Sequence, residues 1–244
     1  MKHIKIIFLL TILFSLPING QIEGEAIYVV KRSFNYDSLV TNTNNKQKII
    51  NQYKKIDDYI NNQTFKLRFK KGISHFILED KLDVDNSTSK LKFVNSMFPE
   101  NYYSFSSKKN WTVQKGHNKN GYLVETNINN QKIDLHNSNY DEVINGFACS
   151  KATVSFIKEG KEKEKYQYYV WYMKEVSIPF GPLIYNNMPG LIVRVLEADG
   201  TIIELKNFKL VRQKEIIMPN DLEFISEEDY NEIINQSLNN FKPN

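Results

Sequence analysis

Along most of the chain, apolar and polar residues alternate in short runs broken by Gly, Asn, Asp and charged clusters, the pattern of antiparallel strands with one buried face. AIYVVKRSF (26–34) opens the series, and TFKLRFK (64–70) and ISHFILE (73–79) flank Lys71-Gly72 as a hairpin. YYSFSS, WTVQKG and YLVETNI follow. The last two are separated by HNKNG, whose Asn120-Gly121 pair marks a turn, and KIDLH (132–136) comes next. KATVSFIK (151–158) then leads through the charged loop EGKEKEK to YQYYVWYM (166–173). In that run Tyr166, Tyr168, Val170 and Tyr172 share one face, while Tyr169, Trp171 and Met173 share the other. Bulky groups on both faces predict a strand inside a sheet, covered on both sides. LIVRVLEA and TIIELKNF bracket Asp199-Gly200, which predicts a two-residue type I′ hairpin.

Two segments change period. KQKIINQYKKIDDYINNQ (46–63) spaces Ile49, Tyr53, Ile56 and Ile60 by three and four, which predicts one helix. In SEEDYNEIINQSL (226–238), Ser226 serves as N-cap, acids fill the first turn, and Tyr230, Ile233, Ile234 and Leu238 form a stripe, so the chain closes on a short helix. The pattern as a whole predicts a mainly β protein, an antiparallel meander with a short C-terminal helix, in one domain over 21–244.

One stretch fits neither period. IPFGPLIYNNMPGLIV (178–193) mixes three prolines and two glycines with apolar residues. Pro189-Gly190 suits the centre of a type II turn, with glycine supplying positive φ, and Gly181-Pro182 forms an earlier bend. Between them Leu183, Ile184, Tyr185 and Met188 are apolar enough to plug one end of a sheet or barrel, each stabilising by roughly 1.5–3 kcal/mol when buried. The alternative is a ligand or partner surface at a barrel mouth.

Residues 1–20 change the picture of where the protein works. Lys2, His3 and Lys5 precede the apolar run Ile6 to Leu16, which ends at Pro17-Ile18-Asn19-Gly20, the layout of a secretory signal peptide. An apolar run of about 11 residues is short of the roughly 20 that span a bilayer. No cysteine stands at the cleavage point, and no later stretch is a transmembrane candidate, so a periplasmic or secreted protein is expected. The whole chain carries +4; losing Lys2 and Lys5 leaves 30 basic against 28 acidic residues, or +2. That near balance argues against a nucleic-acid binder.

Chemistry-bearing residues are few. Cys149 is the one cysteine, so no disulfide supports the core; it can be a nucleophile, a metal ligand, a mixed-disulfide site or, most commonly for a free thiol, a small buried group. His136 and Asp134 share a strand face, but a metal would need further ligands, with Cys149 the candidate. Glu227, Glu228 and Asp229 suit a helix start rather than acid–base work. No nucleophile-elbow, zinc-protease or phosphate-loop motif occurs, so neither a catalytic residue, a metal nor a cofactor is assigned.

INGFACSKA (144–152), with Cys149, Lys151 and Ala152, followed by YVWYM (169–173), IPFGP (178–182) and MPGLIV (188–193), resembles the GLPGLI family of exported Bacteroidetes proteins. The resemblance covers about residues 130–196 and rests on Gly181, Pro182, Pro189, Gly190, Leu191 and Ile192 in order. It departs at Asn187-Met188, where the family has Gly-Leu; asparagine is the residue next most tolerant of positive φ. The resemblance implies an exported β protein with no established activity, and by analogy an open or half-closed β-barrel or curved sheet.

Two non-enzymatic functions follow as expectations. In the first, the sheet carries an apolar or lipid-like ligand beneath the loop, lined by Tyr168, Trp171, Leu183, Tyr185 and Ile192. In the second, the protein is an accessory subunit that docks on an outer-membrane receptor or other envelope protein through exposed aromatics around Tyr102, Tyr103 and Trp111. A metal- or thiol-dependent enzyme is the third and weakest alternative.

Overall fold

The computed structural model describes residues 22–32, 36, 45–79, 88–114, 121–127, 131–136, 142–158 and 164–240. The expected leader, Asn120 of the expected turn and residues 159–163 of the charged loop lie outside the described residues.

The alternating runs form thirteen strands among the described residues: β1 (Gly24–Lys31), β2 (Thr64–Lys70), β3 (Ile73–Leu78), β4 (Asn101–Ser104), β5 (Lys109–Gln114), β6 (Tyr122–Asn127), β7 (Gln131–Leu135), β8 (Glu142–Ile144), β9 (Phe147–Lys158), β10 (Glu164–Met173), β11 (Leu191–Leu196), β12 (Ile202–Lys209) and β13 (Glu223–Ser226). Among the described residues three full helices join them: α1 (Lys46–Asn61), α2 (Thr88–Met97) and α3 (Glu227–Asn240). The strands lie in the order β13-β6-β5-β4-β3-β2-β1-β12-β11-β10-β9-β7, and β8 pairs with β9. Every pairing is antiparallel except β13 with β6, which is parallel. The sheet is open, ending at β13 and β7, so the chain forms an open sheet and not a closed barrel.

Period-two burial builds the main core. Ala26, Tyr28 and Val30 of β1 and Phe65, Leu67 and Phe69 of β2 are fully buried on one face, together with Val154, Val170, Leu191 and Ile203. Helix α1 packs Ile60 into this core. Its buried positions are Ile50, Asp57 and Ile60; of the predicted stripe, Ile60 is buried, Ile56 packs against the main core and Ile49 against Ile50 and Tyr36, while Tyr53 is exposed and stacks on Tyr36 at 5.6 Å. Helix α2 and the residue after it bring in Val94 and Phe98. No periodic signal in the sequence reading pointed to α2 or to β13.

Short strand β4 sets a second, smaller core on the opposite face. Its neighbours Tyr102 and Tyr103 point to opposite sides, as strand geometry requires. Tyr103 enters the main core, while Tyr102 joins Trp111, Leu123 and Ile216 in the second. This corrects the docking expectation: Tyr102, Tyr103 and Trp111 are 4%, 1% and 8% exposed and offer no aromatic patch.

The turns follow residue chemistry. Lys71-Gly72 take φ of 49° and 78° with Lys70 opposite Ile73, so the predicted hairpin closes on a type I′ turn. Asn145-Gly146 (51° and 84°) make the same turn between β8 and β9. The Asp199-Gly200 turn differs from expectation. The amide of Gly200 donates to the Glu197 carbonyl and that of Glu197 to the Thr201 carbonyl, and only Gly200 has positive φ. This is a three-residue loop with glycine at the bulge, not a two-residue type I′ turn. At α3, the Asp229 amide donates to Ser226 Oγ (3.0 Å), the predicted cap.

Candidate functional site

Residues 174–190 carry the chain from β10 to β11, and their shape is set by backbone crowding and two asparagines. A Cβ on Gly190 would lie 1.8 Å from the Met173 carbonyl oxygen, and one on Gly181 would lie 2.1 Å from the Tyr185 carbonyl oxygen. Both positions need glycine for room. Gly190 has no left-handed φ, which corrects the type II turn expected at Pro189-Gly190. The left-handed residues are instead Leu183 (51°) and Asn187 (65°), the latter where the GLPGLI pattern has glycine. Buried Asn186 accepts a hydrogen bond from the Gly181 amide at Oδ1 (3.0 Å) and donates from Nδ2 to the Leu183 carbonyl (3.1 Å). The Asn187 amide donates to the Pro179 carbonyl, and the Leu191 amide to that of Val176.

These bonds hold the loop as a plug. Ile178, Phe180, Tyr185 and Met188 are buried in the main core, with Leu183 and Ile184 packed at its margin. Three tyrosines tie down the loop and the start of β11. Tyr28 donates to the Ile192 carbonyl (2.7 Å), Tyr103 to Asn187 Oδ1 (2.5 Å) and Tyr185 to Glu197 Oε1 (2.5 Å). Burial pushes the Tyr103 hydroxyl up to about 12. Burial also raises the Tyr185 hydroxyl, and the adjacent Glu197 raises it further. Glu197 is itself raised by burial, against the opposing hydrogen bond from Tyr185.

The residues predicted to line one ligand cavity are not brought around one space. Tyr168 packs edge-on against Tyr185, with centroids 4.6 Å apart, on the loop side of β10. Trp171 lies on the opposite face of β10, as its odd position dictates. Leu183 is half-buried, and Ile192 is fully buried in the main core. The predicted cavity beneath the loop is therefore corrected: side chains fill that space.

Trp171 belongs to a row of residues directly opposite one another across four strands: Lys151 in β9, Trp171 in β10, Arg194 in β11 and Glu204 in β12. Lys151 Nζ sits 4.8 Å from the Trp171 ring centre, and the Arg194 guanidinium 5.8 Å from it. Glu204 is buried and receives Lys31 (2.6 Å), Arg194 Nε (2.8 Å) and Asn145 Nδ2 (3.1 Å). Burial alone would raise this carboxyl, but the three donors and the Arg194 charge outweigh it and hold the group below the usual carboxylate range. Ala152, beside Lys151, is fully buried in the main core.

The space beside the loop is different. A cleft of about 630 Å³ opens between the loop and the Lys71-Gly72 turn. Its floor is Ile178, Phe180 and Met188, all buried, and its rim includes Pro179, Pro189 and the half-exposed Phe105. The Phe105 amide donates to the Gly72 carbonyl (2.9 Å), which fixes that rim to the hairpin.

Nucleophilic or metal chemistry finds little support. Cys149 is buried, donates to the Phe147 carbonyl (3.2 Å), and burial pushes its thiol up to about 11, away from a reactive thiolate. His136 Nε2 lies 2.5 Å from Thr153 Oγ1. Among the described residues, no group of three or more His, Cys, Asp or Glu could hold a metal ion. Sequence reasoning missed a second histidine network. Buried His75 lies between Arg68 and Glu100 and stacks on Tyr102. The i to i+7 spacing of Arg68 and His75 across the Lys71-Gly72 hairpin was the available signal, because that turn places the two opposite each other.

No protein-family model and no curated protein matches the sequence. Among solved structures, PNGF-II is similar in two crystal forms. In space group P21 the TM-score is 0.53 at 15% identity, over 88% of this chain and 34% of that one. In space group C2 the TM-score is 0.54 at 15% identity, over 89% and 33%. The chain thus spans about a third of the length of the structures it matches, and at that identity the likeness shows a shared β fold and nothing further.

Proposed function

We propose that this chain is an exported, non-catalytic binding module, periplasmic or secreted, that takes an apolar or lipid-like ligand in the cleft beside the 174–190 loop. The observation that carries the reading is the cleft itself: an apolar floor of Ile178, Phe180 and Met188, buried residues of a loop whose backbone packs tightly on that of β10 at Gly190. The signal-like residues 1–20 support export. A concave, apolar and preformed site is where a ligand gains most from burial. The filled space under the loop moves the ligand from beneath it to beside it.

Native mass spectrometry of protein purified from its own envelope tests this reading. A retained mass of lipid size, displaced by a fluorescent fatty-acid probe and lost in Phe105→Asp, is the expected result. A clean unliganded mass, with no saturable probe binding, would overturn it. Docking on an outer-membrane receptor or other envelope protein is a second reading. It is supported by edge strand β13, whose outer side is unpaired among the described residues and which carries the exposed Phe224 (56%). A membrane protein that co-purifies stoichiometrically with the clean mass would favour it.

A further inference from the structure

We infer that the chain carries a second binding site, on the solvent side of β1 to β3, for an oxyanion group of phosphate, sulfate or carboxylate type. The site is a cleft of about 500 Å³ between strands β2 and β3 and the segment 211–214, with Lys66, Arg68, Arg212 and Lys214 in its lining. Two carboxylates also line it and both are occupied: Glu25 by Lys209 (2.9 Å) and Glu79 by Lys66 (2.6 Å). Among the described residues no acid lies within ion-pair distance of Arg68, Arg212 or Lys214: Glu25, opposite Arg68 across β1 and β2, is paired with Lys209, and Glu23, near Arg212, with Lys70, so the cleft keeps an excess of positive charge.

Arg68 is fixed in place rather than free in solvent. Its Nη2 lies 2.7 Å from His75 Nδ1, and His75 Nε2 lies 2.7 Å from Glu100 Oε1. Guanidinium has only donors, so Nδ1 accepts and the ring is the Nε2–H tautomer, donating to Glu100. Tyr102 also donates to Glu100 Oε1 (2.7 Å), and its ring stacks on His75 with centroids 4.3 Å apart. A buried ring therefore orients Arg68 with no acid in direct contact with its guanidinium. A planar fork held this way binds an oxyanion with two hydrogen bonds and little loss of side-chain freedom. Ile77 and Val211 add apolar wall, which suits an anion carried on an organic body.

Titration with inorganic phosphate, sulfate and acetate at constant ionic strength, followed by NMR of the arginine Nε–H groups, tests the site. The expected result is a saturable shift of the Arg68 signal by at least one of the three, and the tightest names the class of ligand. Arg68→Gln weakens that binding at least tenfold. Arg212→Gln, a change at an exposed position that leaves the fold intact, weakens it several-fold. His75→Gln, with the charge of the cleft unchanged, weakens it threefold or more and broadens the Arg68 signal. Shifts that do not saturate with any of the three anions, or binding unchanged in both Arg68→Gln and Arg212→Gln, would overturn the proposal. Binding of an uncharged fluorescent fatty-acyl ester at the apolar cleft remains as in wild type in all three variants, so the two sites fail or stand separately.

Discussion

Gly190 lies against the backbone of Met173 so closely that a single added carbon would sit 1.8 Å from the Met173 carbonyl oxygen. The obstacle is main chain of a central strand, which cannot swing aside as a side chain can. Gly190→Ala is expected to lose about 3 kcal/mol or more of stability, or to fail to fold. Gly200→Ala is the matched control. It has left-handed φ (88°) but nothing within 4 Å, so it costs only about 1–2 kcal/mol from backbone strain. Urea midpoints of the two variants distinguish crowding from strain, and a Gly190→Ala protein as stable as wild type would refute the crowding argument.

Asn187 combines a left-handed φ with the acceptor for Tyr103. Asn187→Gly keeps the backbone and removes the acceptor, for an expected loss of about 1 kcal/mol. Asn187→Val adds a further 1–2 kcal/mol, roughly, because a β-branched residue resists that φ. In a double-mutant cycle, Tyr103→Phe is expected to cost clearly less in Asn187→Gly than in wild type.

Glu204 sets an acid limb. Its carboxyl is held below the ordinary value, so its contribution is complete above the unfolded-state value and is lost as pH falls through the folded one. Stability of the wild type is therefore expected to drop below about pH 4.5 more steeply than that of Glu204→Gln, which has lost this dependence. Glu197 has the opposite sign: its carboxyl is raised, so its contribution is complete at low pH and fades as pH rises. Glu197→Gln flattens that opposite slope. Chemical denaturation between pH 3 and pH 7 checks both.

Cys149 is expected to react with iodoacetamide at pH 8 only through unfolding. With its thiol near 11, about one molecule in a thousand is thiolate at that pH, and burial slows even that fraction. Labelling in the folded state is expected to be at least a hundredfold slower than in urea. A native rate near that of a free thiol would contradict the packing around β8 and β9.

Much of the sheet was legible because strands announce themselves by alternation. Tyr168, Val170 and Trp171 are buried on the faces their parity assigned. Turn chemistry was also readable at Lys71-Gly72, and Asn145-Gly146 carried the same information without being read as a hairpin. What escaped was long-range. Nothing local tells Tyr102 and Trp111 that the segment around Ile216 covers them, so exposed aromatics were expected where a second core stands. Glycine at 190 was read as conformational freedom when its cause is Met173, seventeen residues earlier in the chain. The anion cleft escaped for the same reason, since Arg212 and Lys214 meet Lys66 and Arg68 only in three dimensions.

The seam between β1 and β12, where Glu25 faces Lys209, has a further consequence for how the protein comes into being. On one side of it β2 to β6 are stitched by neighbours in sequence, and on the other β9 to β12 are stitched the same way. Each half can zip as its strands emerge, but the seam waits until residue 209 has been made, and until then the free edge of β1 is a bare template for pairing. Pairing so distant in sequence is slow, and a strand left bare invites a stranger. A chain that crosses a membrane before it folds would make that wait on the far side, so the passage itself would postpone the seam and leave its assembly to the compartment beyond.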